Sequence, residues 1–64
     1  MPYRVKEFRK KRNMSQAELS EKSGVSRAII VRLEDETMEF VTTTSTLQRI
    51  ANALDTKVSD IFLD

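Results

Sequence analysis

The 64-residue chain contains no cysteine and no histidine. The first absence excludes disulfides and thiolate metal sites. The second removes the side chain best suited to general-base work near neutral pH and the commonest zinc ligand. In so short a chain, the two together argue against an enzyme and against a bound metal or cofactor. Glycine and proline occur once each, as Gly24 and Pro2, so few points interrupt regular structure. No apolar run approaches the roughly 20 residues that span a bilayer. The N-terminal MPYRVKEFRKKR also has no apolar signal-peptide core. The expectation is a cytoplasmic protein with no membrane association. Residues 1–64 read as a single domain, near the size at which only about 60% of the unfolded chain's surface can be buried.

What is present is unevenly distributed. The formal net charge of +1 conceals two opposed halves. Met1 to Leu33 carries nine basic and three acidic residues, hence +6, whereas Glu34 to Asp64 carries two basic and seven acidic, hence −5. Such polarity suits a molecule with one end on a polyanion, although two ordinarily solvated surfaces would look the same.

Valine, isoleucine and threonine do not alternate with polar residues over any long window, so the reading is helical. Five helices are expected. The first runs from about Tyr3 to Arg12, with Val5 and Phe8 inward, and stops at Asn13, which tolerates the left-handed conformation. The second begins at Ser15, which forms a capping box with Glu18; Ala17 (partly) and Leu19 face inward, beside the small Ser20. It ends at Ser23-Gly24, where glycine permits a sharp turn. Ser26 caps the third, which runs to about Leu33. The fourth starts near Thr44 or Ser45, with Ser45 and Gln48 as a second capping box. Leu47, Ile50, Ala51 and Leu54 follow at helical spacing, and Asp55 ends it. A short fifth carries Val58, Ile61 and Phe62. Met38, Phe40 and Val41, in the connection before the fourth helix, either cover the core from the side or form an exposed patch.

The third helix has two unlike faces. With Arg27 at zero on a helical wheel, Ile29, Leu33 and Ile30 fall at roughly 200°, 240° and 300°. Val31, Ala28 and Arg32 fall at roughly 40°, 100° and 140°, on the side of Arg27. The first group is expected to dock on the second and fourth helices, and the second group points away. Arginine can donate two hydrogen bonds to guanine, Ala28 and Val31 can pack on thymine methyls, and Ser26 can meet either base type. Alternatively, Arg27 and Arg32 are solvated or touch only phosphates. The start of the second helix, with N–H groups at Ser15, Gln16 and Ala17 and the Gln16 amide, suits a phosphate. Lys10, Lys11 and Arg12 either complement the dipole of the first helix or attract phosphates.

With Phe8-Arg9, Ser15-Gln16, Leu19, Gly24-Val25-Ser26, Ile30 and Leu33-Glu34 in this order and spacing, the chain resembles the Cro/phage-repressor (XRE) helix-turn-helix family. Leu47, Ile50-Ala51 and Leu54 continue the similarity, as do Val58, Asp60, Ile61 and Phe62. The resemblance covers nearly the whole chain. It implies an all-α, five-helix, lambda-repressor-like DNA-binding domain. It further implies base-edge contacts from Ser26, Arg27, Ala28, Val31 and Arg32, phosphate contacts from Ser15, Gln16 and Arg12, and a structural ion pair between Arg9 and Glu34. Three departures stand out. Asp35-Glu36-Thr37 replaces the family's usual Asn-Gly-Lys, removing a phosphate donor and adding acid. The connection to the fourth helix is two residues longer, without its proline, although hydroxyls of Thr42 to Thr44 could restore some phosphate contact. Ser20 stands in place of a helix-two alanine.

The expected function is sequence-specific transcriptional regulation, as a small repressor binding double-stranded DNA. A homodimer through the C-terminal segment Val58 to Asp64, with Ile61, Phe62 and Leu63, would supply a second half-site contact. No small-molecule ligand domain is expected. The alternative is a protein-interaction module on the same fold, regulating another DNA-binding protein.

Overall fold

The computed structural model describes residues 3–35, 37 and 41–62. Five helices follow in chain order: α1 (Val5–Lys11), α2 (Gln16–Ser23), α3 (Arg27–Glu34), α4 (Thr44–Ala53) and α5 (Val58–Ile61). The architecture is all-helical, as expected from the periodicity.

Helix α1 is shorter than expected at its N-terminal end. Tyr3 forms an isolated antiparallel bridge with Phe62 instead of a first helical turn. The Arg4 N–H donates to the Ile61 carbonyl at 2.6 Å. The rings of Tyr3 and Phe62 stand 5.5 Å apart, tilted by 56°, an edge-weighted arrangement that aromatic pairs favour. Bridge and ring contact together tie the two ends of the described chain to each other.

The α2–α3 unit is set by local chemistry. Ser15 Oγ accepts from the Glu18 N–H and Glu18 Oε1 accepts from the Ser15 N–H, both at 3.0 Å. This is the capping box expected from the spacing. Gly24 ends α2 at φ +73°. A Cβ there would meet only Arg49 Nη1, at 3.9 Å, so the backbone angle is what demands glycine. Ser20 does more than preserve close packing: its hydroxyl donates to the Val25 carbonyl at 2.7 Å, bracing the turn. The Val25 N–H donates to Ser23 Oγ at 3.1 Å. Ser26 then caps α3, accepting from the Ile29 N–H.

Helix α4 starts at Thr44, as expected, but its cap differs from the expectation. Thr43, not Ser45, is its N-cap, with Thr43 Oγ1 accepting from the Thr46 N–H at 3.1 Å. Ser45 lies inside the helix, so the Ser45–Gln48 box does not form. Gln48 donates one turn onward to Asn52 Oδ1 at 3.0 Å. Asn13 and Asp55 follow α1 and α4 with positive φ of 55° each, the conformation that short polar side chains tolerate.

The core is built from Leu19, Val25, Ile30, Leu33, Leu47, Ile50, Ala51, Leu54 and Ile61, with Tyr3, Val5 and Ala53 around it. Phe8, Met14, Ile29 and Val58 close its edges, half-buried. Each fully buried leucine or isoleucine supplies about 1.5–3 kcal/mol of transfer free energy. Two apolar expectations need correction. Ala17 is exposed rather than partly inward, because it lies roughly 200° around α2 from the buried Leu19. Val41 is 88% exposed and covers nothing. Met38 and Phe40 lie outside the described residues.

Candidate DNA interface

Helix α3 separates its residues as the wheel requires. Ile30 and Leu33 are buried and Ile29 half-buried, whereas Arg27, Ala28, Val31 and Arg32 are exposed. The inner side packs mainly on α2 and α1, not on α2 and α4 as expected, because the Arg9–Glu34 pair draws the end of α3 to α1. Eight residues are too few for a helix to be stable alone, since isolated helices are marginal below about 12–15 residues. The direction of the exposed side is therefore set by what holds α3 in place.

Much of that hold comes from Glu34, whose side chain is 4% exposed. Arg9, on α1, donates to it from Nε to Oε2 at 2.8 Å and from Nη2 to Oε1 at 3.0 Å, a two-pronged pair. The remaining guanidinium nitrogen, Nη1, donates to the Met14 carbonyl at 2.7 Å. One side chain thus joins α1, the turn before α2 and the end of α3. The hydrogen bond to Glu34 raises the Arg9 pKa above its ordinary value, against the opposing effect of burial. Glu34 also accepts from a third group: Gln16 Nε2 donates to Oε1 at 3.1 Å. Sequence spacing gave no sign of that contact.

The beginning of α2 is only partly open to a ligand. The Ser15 N–H expected to be free is taken by Glu18, which corrects the reading of Ser15 as a backbone donor. The Ser15 hydroxyl hydrogen remains, and the Gln16 and Ala17 N–H groups belong to the first turn, which the helix's own carbonyls do not reach. Arg12 is engaged elsewhere: its Nε donates to the Leu54 carbonyl at 2.9 Å, tying the end of α1 to the end of α4. Lys11 sits over the Phe8 ring at 5.0 Å, a cation–π contact. Beyond α3, Asp35 Oδ1 accepts from the Thr37 N–H at 2.8 Å and the Thr37 hydroxyl at 2.6 Å. Those two bonds lower its carboxyl pKa and favour a negative charge at the end of α3. Glu36 lies outside the described residues. The Thr43 hydroxyl is occupied as a cap, leaving Thr44 and Ser45 as the exposed hydroxyls of that turn.

The model of the Cro/C1-type HTH DNA-binding domain matches residues 4–63. The chain belongs to that family. Cro/C1-type domains are DNA-binding regulators of transcription and not enzymes, and this chain is a DNA-binding transcriptional regulator. An uncharacterized HTH-type transcriptional regulator of Archaeoglobus fulgidus is 40% identical to it over 63 residues, 98% of this chain and 86% of that one. No solved structure gives a significant match. Among the described residues of this Cro/C1-type domain, no helix is long and apolar enough to cross a membrane. No cluster of acidic side chains among them could hold a metal ion.

Proposed function

We propose that the chain is a sequence-specific, cytoplasmic repressor that lays α3 in the DNA major groove. Ser26, Arg27, Ala28, Val31 and Arg32 meet base edges, and the Ser15 hydroxyl and the Gln16 amide meet phosphates. The observation that carries this reading is the division of α3, in which every residue not spent on the core is one with base-edge chemistry. Val31, 42% exposed on that side, is suited to a thymine methyl. Arg12 reaches a phosphate only through its Nη groups, because Nε is committed to Leu54.

A single such domain touches few base pairs, so two copies on a pseudo-palindromic site are needed for useful specificity. Within the C-terminal contact, Ile61 is fully buried in the core, whereas Phe62 is 42% exposed and open to a partner. A second reading, a protein-interaction module on the same fold, is favoured by one feature: the fixed charge of Asp35 repels phosphate beside α3.

The two readings separate in a selection of bound sequences from a random duplex pool. The repressor reading expects a symmetric motif, and binding that weakens steeply with salt. Arg27→Ala together with Arg32→Ala should erase the preference for that motif while thermal melting stays cooperative. A double variant that still prefers the selected motif as strongly as the parent would remove α3 as the reading element.

A further inference from the structure

We infer that Glu34, besides pairing with Arg9, positions the Gln16 amide for a DNA phosphate, so that the end of α3 controls a contact made from α2. This rests on the proposed phosphate role of Gln16 and adds the group that governs it.

A glutamine amide presents a carbonyl oxygen and an NH2 group of nearly equal size, and only the nitrogen can donate to a phosphate. Left to rotate, the group would spend part of its time with the oxygen toward the anion, an arrangement that repels. Glu34 removes that freedom. Its carboxylate is acceptor-only and buried, and it holds Gln16 Nε2 at 3.1 Å. That contact occupies one of the two amide hydrogens and leaves the other on a half-buried side chain at the first position of α2. Glu34 is itself immobilised by two bonds from Arg9. The chain Arg9–Glu34–Gln16 therefore fixes a donor in advance, lowering the ordering cost that binding would otherwise meet. Gln16 is neutral, so the contact adds affinity without changing how many counterions are released.

The test uses the full chain and a mixed-sequence duplex of about two helical turns, because phosphate contacts carry no sequence information. The variants are Gln16→Ala, Glu34→Gln and the two combined, each checked for cooperative melting. Gln16→Ala should weaken duplex binding about tenfold, with the salt dependence unchanged. Glu34→Gln should weaken it severalfold more in the parent than once Gln16 is alanine, where only its part in holding α3 is lost. Equal losses from Glu34→Gln in both backgrounds would overturn the proposal, since Glu34 would then act only through the placement of α3. If Gln16→Ala alone leaves binding intact, the phosphate role of Gln16 fails instead, and the proposal with it. Should Glu34→Gln unfold the protein, the parent decides the matter by NMR. On addition of duplex, one Gln16 side-chain amide proton should shift and the proton held by Glu34 should stay. Movement of both together, or of neither, would count against a held donor.

Discussion

Replacing Arg9 by alanine is the sharpest test of what holds this domain together. The Arg9 side chain is 11% exposed and that of Glu34 4%, so neither charge is screened by bulk water as a surface pair would be. Truncation leaves the Glu34 carboxylate with only the Gln16 amide at 3.1 Å, and takes the Nη1 donor from the Met14 carbonyl. Breaking a buried pair by removing one partner costs about 3–5 kcal/mol. At about 0.05–0.15 kcal/mol per residue, a chain of this length has only about 3–10 kcal/mol in total. Arg9→Ala should therefore lower Tm by at least about 12 °C, or unfold the protein outright. Urea unfolding followed by far-UV circular dichroism measures the loss, with the slope checked to confirm a two-state transition. The raised pKa of Arg9 means that its contribution is complete below the unfolded arginine value and lost only at more alkaline pH, so the penalty should not vary with pH just above neutrality. Replacing both partners with apolar residues, Arg9→Met with Glu34→Leu, should recover most of the stability, because no buried charge is left alone. A cost for Arg9→Ala below about 1 kcal/mol, the range of exposed pairs, would refute the reasoning.

Two further perturbations probe the local elements. Gly24→Ala should cost about 1 kcal/mol, the left-handed penalty at φ +73° less the gain from a stiffer unfolded chain, with no steric clash because Arg49 Nη1 is 3.9 Å from the new Cβ; denaturant titration reads it, and no loss would mean that the turn relaxes to another geometry. The Thr56 hydroxyl and the Lys57 N–H hold the Asp60 carboxyl below its usual 3.8. That stabilisation is present above the unfolded value and lost as pH falls through the folded one, so Asp60→Asn should flatten this part of the acid limb between about pH 5 and pH 2.

The elements legible in the sequence are those whose determinants lie within a few residues. Ser15 and Glu18, Gly24, and Ser26 each act across three residues or fewer, and the helical period alone divides α3 into its two sides. The cap of α4 misleads because Thr42 to Thr46 offers a hydroxyl at every position. The Ser-x-x-Gln pattern favours Ser45, yet Thr43 caps with Thr46, a pair that no capping-box pattern marks. Val41 stays undecided between core cover and exposed patch in the sequence because hydrophobicity reports what a residue would gain by burial, not whether the chain brings it there. The contacts of Arg12 with Leu54 and of Gln16 with Glu34 span 42 and 18 residues. Both depend on how finished helices pack, and no local pattern carries that information. The candidate site is accordingly legible as a list of proposed side chains, but not as a set of committed and uncommitted donors.

That difference alters which residues matter for DNA binding. A list of cations would weight Arg12 and Lys11 with Arg27, but the structure commits the Nε of the first to the end of α4 and the second to Phe8. A list of acids would set Glu34 beside Asp35 as two adjoining repulsive charges. Structurally they are opposites. Glu34 is buried and neutralised by Arg9, so it presents no net charge to a phosphate, whereas the bonds of Asp35 to Thr37 favour its ionised form at the surface. Of these two acids, Asp35 is the one that opposes DNA in the proposed docking, and neutralising it leaves untouched the contact that holds α3 in place.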